Sequence, residues 1–232
     1  MRSAAVILST AVLCSAASYS LAAPFSDGSI YKETFTSYPE DIRSSATSEA
    51  TVAGGAVGIV TTDGGSGTEG LFRVTNLSLS DTAEYVIQYD FTLNAESGNN
   101  WYILYNNSDV GFSDITIRSY GTNNGGLGYN IQVDHGGGFQ AFETGFLFGV
   151  NYDVTVHHKG DGFIDLYVDN NLLGTYTDRA PNQITNLMQF GDPSSNDGFG
   201  NMTIDNVSIG IPEPTSLAVI GLLGMAALRR RR

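Results

Sequence analysis

The sequence predicts an all-β fold, a two-sheet antiparallel jelly-roll sandwich that occupies residues 23–210. Short segments alternate apolar and polar residues with a period of two, and helical periodicity is almost absent between residues 31 and 210. Turn residues separate these segments at short spacing. No repeat of fixed period is present, which disfavours a propeller or a solenoid.

The alternating segments are the predicted strands. In residues 84–93, the side chains of Tyr85, Ile87, Tyr89 and Phe91 share one face. The other predicted strands have the same period and are residues 100–105, 114–120, 152–158 and 202–209. The alternation of the last of these is imperfect. A sandwich buries one face of each strand, and a domain of this length can fill such a core.

Clusters of Gly, Asn and Asp mark the turns between strands, because these residue types tolerate positive φ. The clusters lie at residues 63–65, 123–126, 136–138, 161–162 and 169–171. The last two are good signals for tight hairpins.

Residues 152–177 read YDVTVHHKGDGFIDLYVDNNLLGTYT. This segment resembles the late hairpin of laminin-G-like and concanavalin A-like domains, in which a strand ending Val-Asp-Gly-x precedes a Leu-Gly-x strand. The chain has Asn170 where Gly is usual. Residues 204–209 are similar to the last strand of such domains, which pairs with the first strand, here residues 31–36. The resemblance implies a concanavalin A-like fold and says less about function.

The first 22 residues have the features of a signal peptide. Arg2 supplies the positive start, residues 4–17 are apolar, and small residues predict cleavage after Ala22 or Ala23. The only cysteine, Cys14, lies in this segment, so the exported protein contains no disulfide.

Residues 211–232 form a third unit. The motif Pro212-Glu213-Pro214 precedes an apolar run over residues 217–228, which is shorter than the roughly 20 residues that span a bilayer. Four basic residues close the chain and would stay on the cytoplasmic side of a membrane: Arg229, Arg230, Arg231 and Arg232.

This order of elements resembles the PEP-CTERM sorting signal of Gram-negative bacteria. The resemblance implies export, a transient inner-membrane anchor through the apolar helix, and recognition of the tail by a membrane-embedded exosortase. It also implies a final place at the cell surface or in the extracellular matrix, with exopolysaccharide and biofilm as the setting. The alternatives are an ordinary tail anchor and a terminal helix packed on the domain.

The net charge of the predicted domain limits the classes of molecule that it can bind. Residues 23–210 contain six of the 11 Lys and Arg residues and 23 of the 24 Asp and Glu residues, a net charge of −17. Such a surface repels nucleic acid and anionic lipid. It suits an exported protein that recruits divalent cations.

The sequence offers no clear catalytic group. Retaining glycosidases need two carboxylates close together, and no same-face carboxylate cluster occurs on a predicted strand. Of the three histidines, His157 and His158 are adjacent and must point to opposite faces, while His135 lies at a Gly-rich turn. No Gly-x-Ser-x-Gly elbow is present. We therefore expect no catalytic residues, and hydrogen-bonded histidines.

Calcium is the expected ion. Zinc lacks a ligand set, because the mature chain has no cysteine and no spaced histidine pair. Asp and Asn supply the hard oxygen ligands that calcium prefers, although they are also ordinary turn residues. The candidates, none of them assigned as a ligand, are Asp134, Asp192, Asn196, Asp197, Asn106, Asn107 and Asp109.

Sugar binding needs an exposed aromatic ring beside hydrogen-bonding groups. Trp101, Tyr105 and Asn106 combine both, and Phe139 and Tyr129 beside Gly-rich turns are further candidates. A core position for Trp101 is the stronger alternative, because this residue shares its face with Ile103.

Together these features predict an exported, exosortase-sorted surface or matrix protein that binds exopolysaccharide and is not an enzyme. Two alternatives remain. One is a polysaccharide-cleaving enzyme of concanavalin-like fold, and the other is an inert or self-associating matrix component.

Overall fold

A computed structural model of the chain describes residues 23–36, 42–43, 48–61, 70–96, 102–108, 115–178, 183–192 and 200–212. Within these ranges the fold consists of β-strands and two short 3-10 turns, Asn124–Gly126 and Gly136–Gly138, with no α-helix. The strands are β1 Tyr31–Glu33, β2 Ile42–Arg43, β3 Ser48–Ala53, β4 Ala56–Thr61, β5 Gly70–Val74, β6 Leu79–Ser80, β7 Tyr85–Glu96, β8 Tyr102–Ser108, β9 Thr116–Asn123, β10 Gly128–His135, β11 Phe139–Leu147, β12 Asn151–His158, β13 Phe163–Val168, β14 Asn171–Thr177, β15 Ile184–Asp192 and β16 Gly200–Gly210.

The strands form two antiparallel sheets. The first sheet has the order β14-β13-β12-β7-β16-β4-β3, with β1 paired to β16. The second sheet has the order β11-β10-β9-β8-β15-β5-β2, with β6 paired to β15. The prediction of an all-β, two-sheet jelly-roll sandwich of concanavalin A-like type is confirmed.

The core lies between the two sheets. Alternate residues of β7 are buried, so the predicted face of residues 84–93 is the inward one. Tyr89 of the first sheet meets Phe190 of the second with ring centroids 5.0 Å apart, and Phe190 stacks on Phe72 at 5.7 Å. These aromatic contacts join the sheets without a disulfide.

Two features implied by the resemblance to concanavalin A-like domains are present: the late hairpin, and the pairing of the first strand with the last. Strands β12, β13 and β14 pair in sequence, and β1 pairs with the last strand through Tyr31 and Ile209. At the β13–β14 turn, Asp169 and Asn170 both have positive φ, 49° and 63°. Asn tolerates this conformation better than most residues, which explains how Asn170 replaces the usual Gly.

A β-bulge explains the imperfect alternation of β16. Its register against β7 shifts between Asp205 and Ser208, and Asn206 has φ 52°. The extra residue restores the inward direction for Val207, which is fully buried. The sequence pattern therefore breaks where the backbone does.

The described chain ends beside its own beginning, where Ser26 pairs with Pro212. The predicted signal peptide and most of the predicted sorting segment, including Glu213, Pro214 and the four terminal arginines, lie outside the described residues. In the part of the chain that is described, no helix has the length and apolar character needed to cross a membrane.

Candidate functional site

Alternation along β9 and β10 sends polar side chains to the outer face of the second sheet. On β9, Ile117 lies in the core and its neighbour Arg118 faces outward. On β10, Val133 lies in the core between the outward residues Gln132 and Asp134. Gln132 and Arg118 stand opposite each other in the β9–β10 register.

These three outward residues form one network. Arg118 Nη2 lies 3.1 Å from Asp134 Oδ2, and Gln132 Nε2 donates to Asp134 Oδ1 at 2.6 Å. Gln132 is only 1% exposed and Asp134 only 9%, although both lie on an outer face. Asp134 therefore holds the guanidinium and the amide in fixed positions, shielded from water.

Two exposed aromatic rings border this network. Tyr120 follows Arg118 by two residues on β9, and Phe142 of β11 stands opposite Gln132. Their ring centroids lie 5.1 Å apart, and the residues are 42% and 50% exposed. An exposed ring pair beside hydrogen-bond donors provides a stacking surface for a sugar ring.

A second arginine lies on the same sheet. Arg73 of β5 stands opposite Gln189 of β15, which stands opposite Tyr105 of β8. The Nε atoms of Arg73 and Arg118 are buried and have no hydrogen-bond partner among the described residues. A buried, unsatisfied donor is costly, and because neither Nε atom has exposed surface, a ligand with acceptor oxygens would meet each half-buried guanidinium group through its exposed part.

The residues predicted to bind sugar are spread over the second sheet. Trp101 lies outside the described residues, Tyr105 and Asn106 belong to β8, and Phe139 begins β11. Tyr105 stands opposite both Gln189 and Thr116 in the strand register. The suggestion that Tyr129 is an exposed platform is wrong, because this side chain is fully buried in the core.

The structure places the calcium candidates only in part. Asp109, Asn196 and Asp197 lie outside them, Asn106 and Asn107 belong to β8, and Asp192 ends β15. Asp134 already accepts from Arg118 and Gln132, donors that a calcium ion would have to displace. Calcium binding stays a prediction.

Within the described part of the chain, one group of side chains has metal-ligand spacing. Atoms of Asp81, His158 and Asp178 lie within 4.8 Å of one another, and all three residues are buried. His158 Nδ1 accepts from the backbone N–H of Gly160 at 3.3 Å, so the ring proton belongs on Nε2, which lies 3.1 Å from Asp178 Oδ2. A nitrogen that carries a proton cannot coordinate a metal, and the second nitrogen of a ligating histidine normally donates. This geometry favours a hydrogen-bonded histidine.

The other histidines follow the same pattern. His157 points away from His158, as adjacent strand residues must, and its Nε2 lies 2.8 Å from Glu84 Oε1. His135 lies 3.3 Å from the hydroxyl of Thr177. The prediction of hydrogen-bonded histidines is confirmed.

Sequence reasoning missed the network of Arg118, Gln132 and Asp134. A usable signal exists, because the outward positions of β9 and β10 are polar and the inward ones are mainly apolar. The signal does not show that the two strands are neighbours, or that Arg118 and Gln132 share a register position. That information is absent from local periodicity.

The fold is similar to that of known carbohydrate-active enzymes. No family model and no curated protein sequence matches the chain. A sialidase structure matches with a TM-score of 0.57 and 14% identity over 73% of this chain, which spans 16% of the sialidase. A PL7 alginate lyase from Zobellia galactanivorans matches with a TM-score of 0.54 and 12% identity, over 75% of this chain and 84% of the lyase. An alginate lyase from Alteromonas sp. 272 has a TM-score of 0.50 and 13% identity, over 77% of this chain and 92% of the lyase.

These neighbours correct the functional expectation. A non-enzymatic protein that only binds exopolysaccharide was predicted, and no catalytic residue was expected. Solved structures that share this sandwich over most of the chain include alginate lyases and part of a sialidase. Because identities of 12–14% show only a common fold, the chemistry has to be argued from the side chains of this protein.

Proposed function

We propose that this protein cleaves an acidic polysaccharide on the outer face of the second sheet. The observation that carries the proposal is the shielded network in which Asp134 holds Arg118 and Gln132 beside an exposed ring pair. A charged donor that is fixed before the substrate arrives is what electrostatic catalysis requires. The alginate lyases of this fold support the proposal as an analogy.

Arg118 would bind the carboxylate of a uronic acid. Guanidinium donors match carboxylate oxygens. Asp134 holds Nη2, and the Arg118 side chain is 25% exposed, so the exposed part of its guanidinium group can meet a substrate carboxylate. Neutralising that carboxylate stabilises the negative charge that develops when the neighbouring C–H proton is removed. The C–O bond to the next sugar then breaks, a C=C bond forms, and the leaving oxygen takes up a proton.

Tyr120 is the proposed proton carrier. It lies two residues from Arg118 on the same outward face, roughly 7 Å along the strand, within the length of one sugar unit and a side chain. In its deprotonated form Tyr120 would take the C–H proton next to the carboxylate and then donate it to the leaving oxygen, while the rings of Tyr120 and Phe142 stack on the sugar.

Arg73 extends the site across the strands. Its strand is separated from that of Arg118 by β15 and β8, so the two arginine backbones lie roughly 14 Å apart across the sheet. This separation spans several sugar units. A polymer lying across the strands would place different carboxylates near Arg73 and Arg118, which favours a polyanion despite the acidic surface elsewhere.

The test is a substrate panel. The full-length protein is incubated with polyuronates such as alginate and polygalacturonate and with neutral β-glucans, and both unsaturated and reducing ends are measured. We expect unsaturated ends from a polyuronate only, and a loss of about 100-fold or more in Arg118→Ala. Lys159→Ala is the matched control, because Lys159 pairs with Asp165 on the first sheet. Folded protein that cleaves no polyuronate, or an Arg118→Ala variant with full activity, would contradict the proposal.

We also propose that the chain is exported and sorted as its two ends predict. The signal peptide and the Pro212-Glu213-Pro214 tail support this, with an exosortase and the inner membrane as transient partners and the cell surface or matrix as the destination. Mass spectrometry of the protein recovered from its producer tests both ends. An intact residue 1–22 segment would contradict export by cleavage.

A further inference from the structure

A cavity of about 220 Å³ lies on the outer face of the first sheet, on the opposite side of the sandwich from the proposed active site. Strands β7, β12 and β16 form its floor. Its lining residues are Phe25, Gln88, Tyr89, Asp90, Asp153, Asn206 and Ser208. The cavity therefore combines acidic and amide groups with a residue from the start of the described chain.

The floor of this cavity is acidic. Asp205, Asp90 and Asp153 stand in one cross-strand row, and Asp169 Oδ1 accepts from the backbone N–H of Asp153 at 3.1 Å. Burial raises the pKa of Asp153, and repulsion from Asp90 and Asp169 raises it further. None of the ion pairs between described residues includes these four carboxylates. The only donor to the Asp90 carboxylate among described side chains is Asn206 Nδ2, at 2.8 Å.

The N-terminal segment is held at the edge of the cavity. Ser26 N–H donates to Gln88 Oε1 at 2.8 Å, and Ser208 Oγ donates to Ser26 Oγ at 3.0 Å. Ser26 also pairs with Pro212, and Phe25 lines the cavity itself. Two residues earlier, Ala23 is only 3% exposed.

Signal-peptide cleavage would place a positive charge here. Hydrolysis of the peptide bond after Ala22 or Ala23 releases an α-ammonium on Ala23 or Pro24. Even a fully extended chain puts that nitrogen within about 7–10 Å of Phe25. Ala23 is buried and Pro24 is half-buried, so a charge on either nitrogen is partly removed from water and is stabilised by a carboxylate partner.

We infer that the new N-terminus is the cation of this cavity. In the mature protein the α-ammonium binds Asp90 and Asp153, and this contact fastens the start of the chain to the first sheet. This contact between the α-ammonium and the two aspartates forms only after cleavage, because the uncleaved chain has a neutral amide at the same place. The inference is independent of the proposed enzymatic function, since it rests on the other face of the sandwich.

The pH dependence has a defined sign. An α-amino group that gains carboxylate partners has a raised pKa, so its stabilisation is complete below the unfolded value of about 8 and is lost as pH rises through the raised value. At the acidic end, protonation of Asp153, whose pKa is raised by burial and by the neighbouring carboxylates, weakens it. Asp27, which accepts from Ser29 and Ile211, is a further charged group close to the segment, and so is Lys32, which stands opposite Ser208 and whose side chain lies beside Gly28.

The experiment compares two forms of the mature chain whose amines lie at different places, because one form keeps two or three additional residues before the proposed terminus. One begins at the terminus that mass spectrometry finds on the exported protein, and the other begins at Leu21. We expect the first to melt about 2–4 °C higher at pH 7 and the difference to disappear at pH 10. It should also disappear in Asp90→Asn/Asp153→Asn, but not in Glu49→Gln, which removes an exposed charge from β3.

Three results would overturn the inference: a mature chain that does not begin at Ala23 or Pro24, equal melting temperatures at pH 7, or a difference that survives at pH 10 or in the double variant. A second measurement covers variants that fail to fold. Reductive ¹³C-methylation keeps the charge of the terminal amine, and its NMR titration gives the pKa. We expect a value above the free range of about 7.7–8.0, and a value within or below that range contradicts the proposed contact with Asp90 and Asp153.

Discussion

The outer faces of the two sheets have the same backbone geometry and opposite electrostatics. The second sheet presents Arg73 and Arg118, with Asp134 as a buried partner of the latter. The first sheet presents a row of aspartates that includes Asp90 and Asp153 and lacks a basic partner among the described residues. A protein with a strongly negative total charge can therefore still offer one face to a polyanion. On the second sheet a carboxylate orients a cation, whereas on the first the carboxylates repel one another.

The largest expected effect tests the chemistry of the second sheet. Tyr120→Phe keeps the ring that meets Phe142 but removes the hydroxyl, so we expect polyuronate cleavage to fall by about 10²–10⁴-fold with little change in KM. Steady-state kinetics measure it. Phe142→Ala is the companion variant, and it should raise KM because only stacking is lost. If Tyr120→Phe retains full kcat, the phenol is not the proton carrier.

The next largest effect is the loss of stability when an aspartate of the second sheet is replaced by asparagine; the same replacement on the first sheet follows below. Asp134→Asn removes the charge that holds Arg118, and it replaces one acceptor oxygen by a donor that faces Gln132 or Arg118. We expect a loss of about 2–3 kcal/mol in the free energy of unfolding. Urea unfolding measures the loss. An unchanged midpoint would show that the network contributes nothing to stability.

A smaller effect tests the bulge beneath the acidic row. Asn206 has φ 52° and donates to Asp90, so Asn206→Ala should cost about 1–2 kcal/mol through the left-handed backbone alone. Asn206→Gly removes the same side chain without that backbone cost and serves as the control. Equal losses in the two variants would assign the effect to the hydrogen bond, contrary to this prediction.

The smallest effect completes the comparison on the first sheet. In the chain that begins at Leu21, whose amine lies at least two residues before the proposed terminus, Asp153→Asn should raise the free energy of unfolding at pH 7 by less than about 1 kcal/mol. The pKa of Asp153 is raised in the fold, so its ionised form costs stability that is recovered as pH falls through that value. The gain should therefore vanish in acid. A loss at pH 7 would mean that the repulsion is already compensated.

Much of the fold was predictable from local patterns. The period of two in residues 84–93 placed Tyr89 and Phe91 in the core, and Asp169-Asn170 marked a hairpin that the structure contains. The imperfect alternation of apolar and polar residues in β16 also corresponds to a structural feature, the bulge at Asn206. Local patterns succeed here because strand direction and turn conformation depend on neighbouring residues.

The candidate site was not predictable in the same way. The sugar-binding prediction relied on Trp101 and Tyr105, aromatic residues that lie close in sequence to amide side chains such as Asn106. The structure assembles Arg118 from β9, Gln132 and Asp134 from β10, and an exposed ring from β11. Each of these residues has an ordinary local setting, so none was distinguishable before the strands were paired.

The all-β class, the inward face of predicted strands such as β7 and the acidic charge of residues 23–210 follow from the sequence alone, and the two terminal signals stay predictions. Which polar side chains contact each other could be seen only in the tertiary structure. The reason is that cross-strand register is a non-local property, set by how two sheets fill a common core. It brings Gln132 opposite Arg118 on one face and aligns Asp90 with Asp153 on the other.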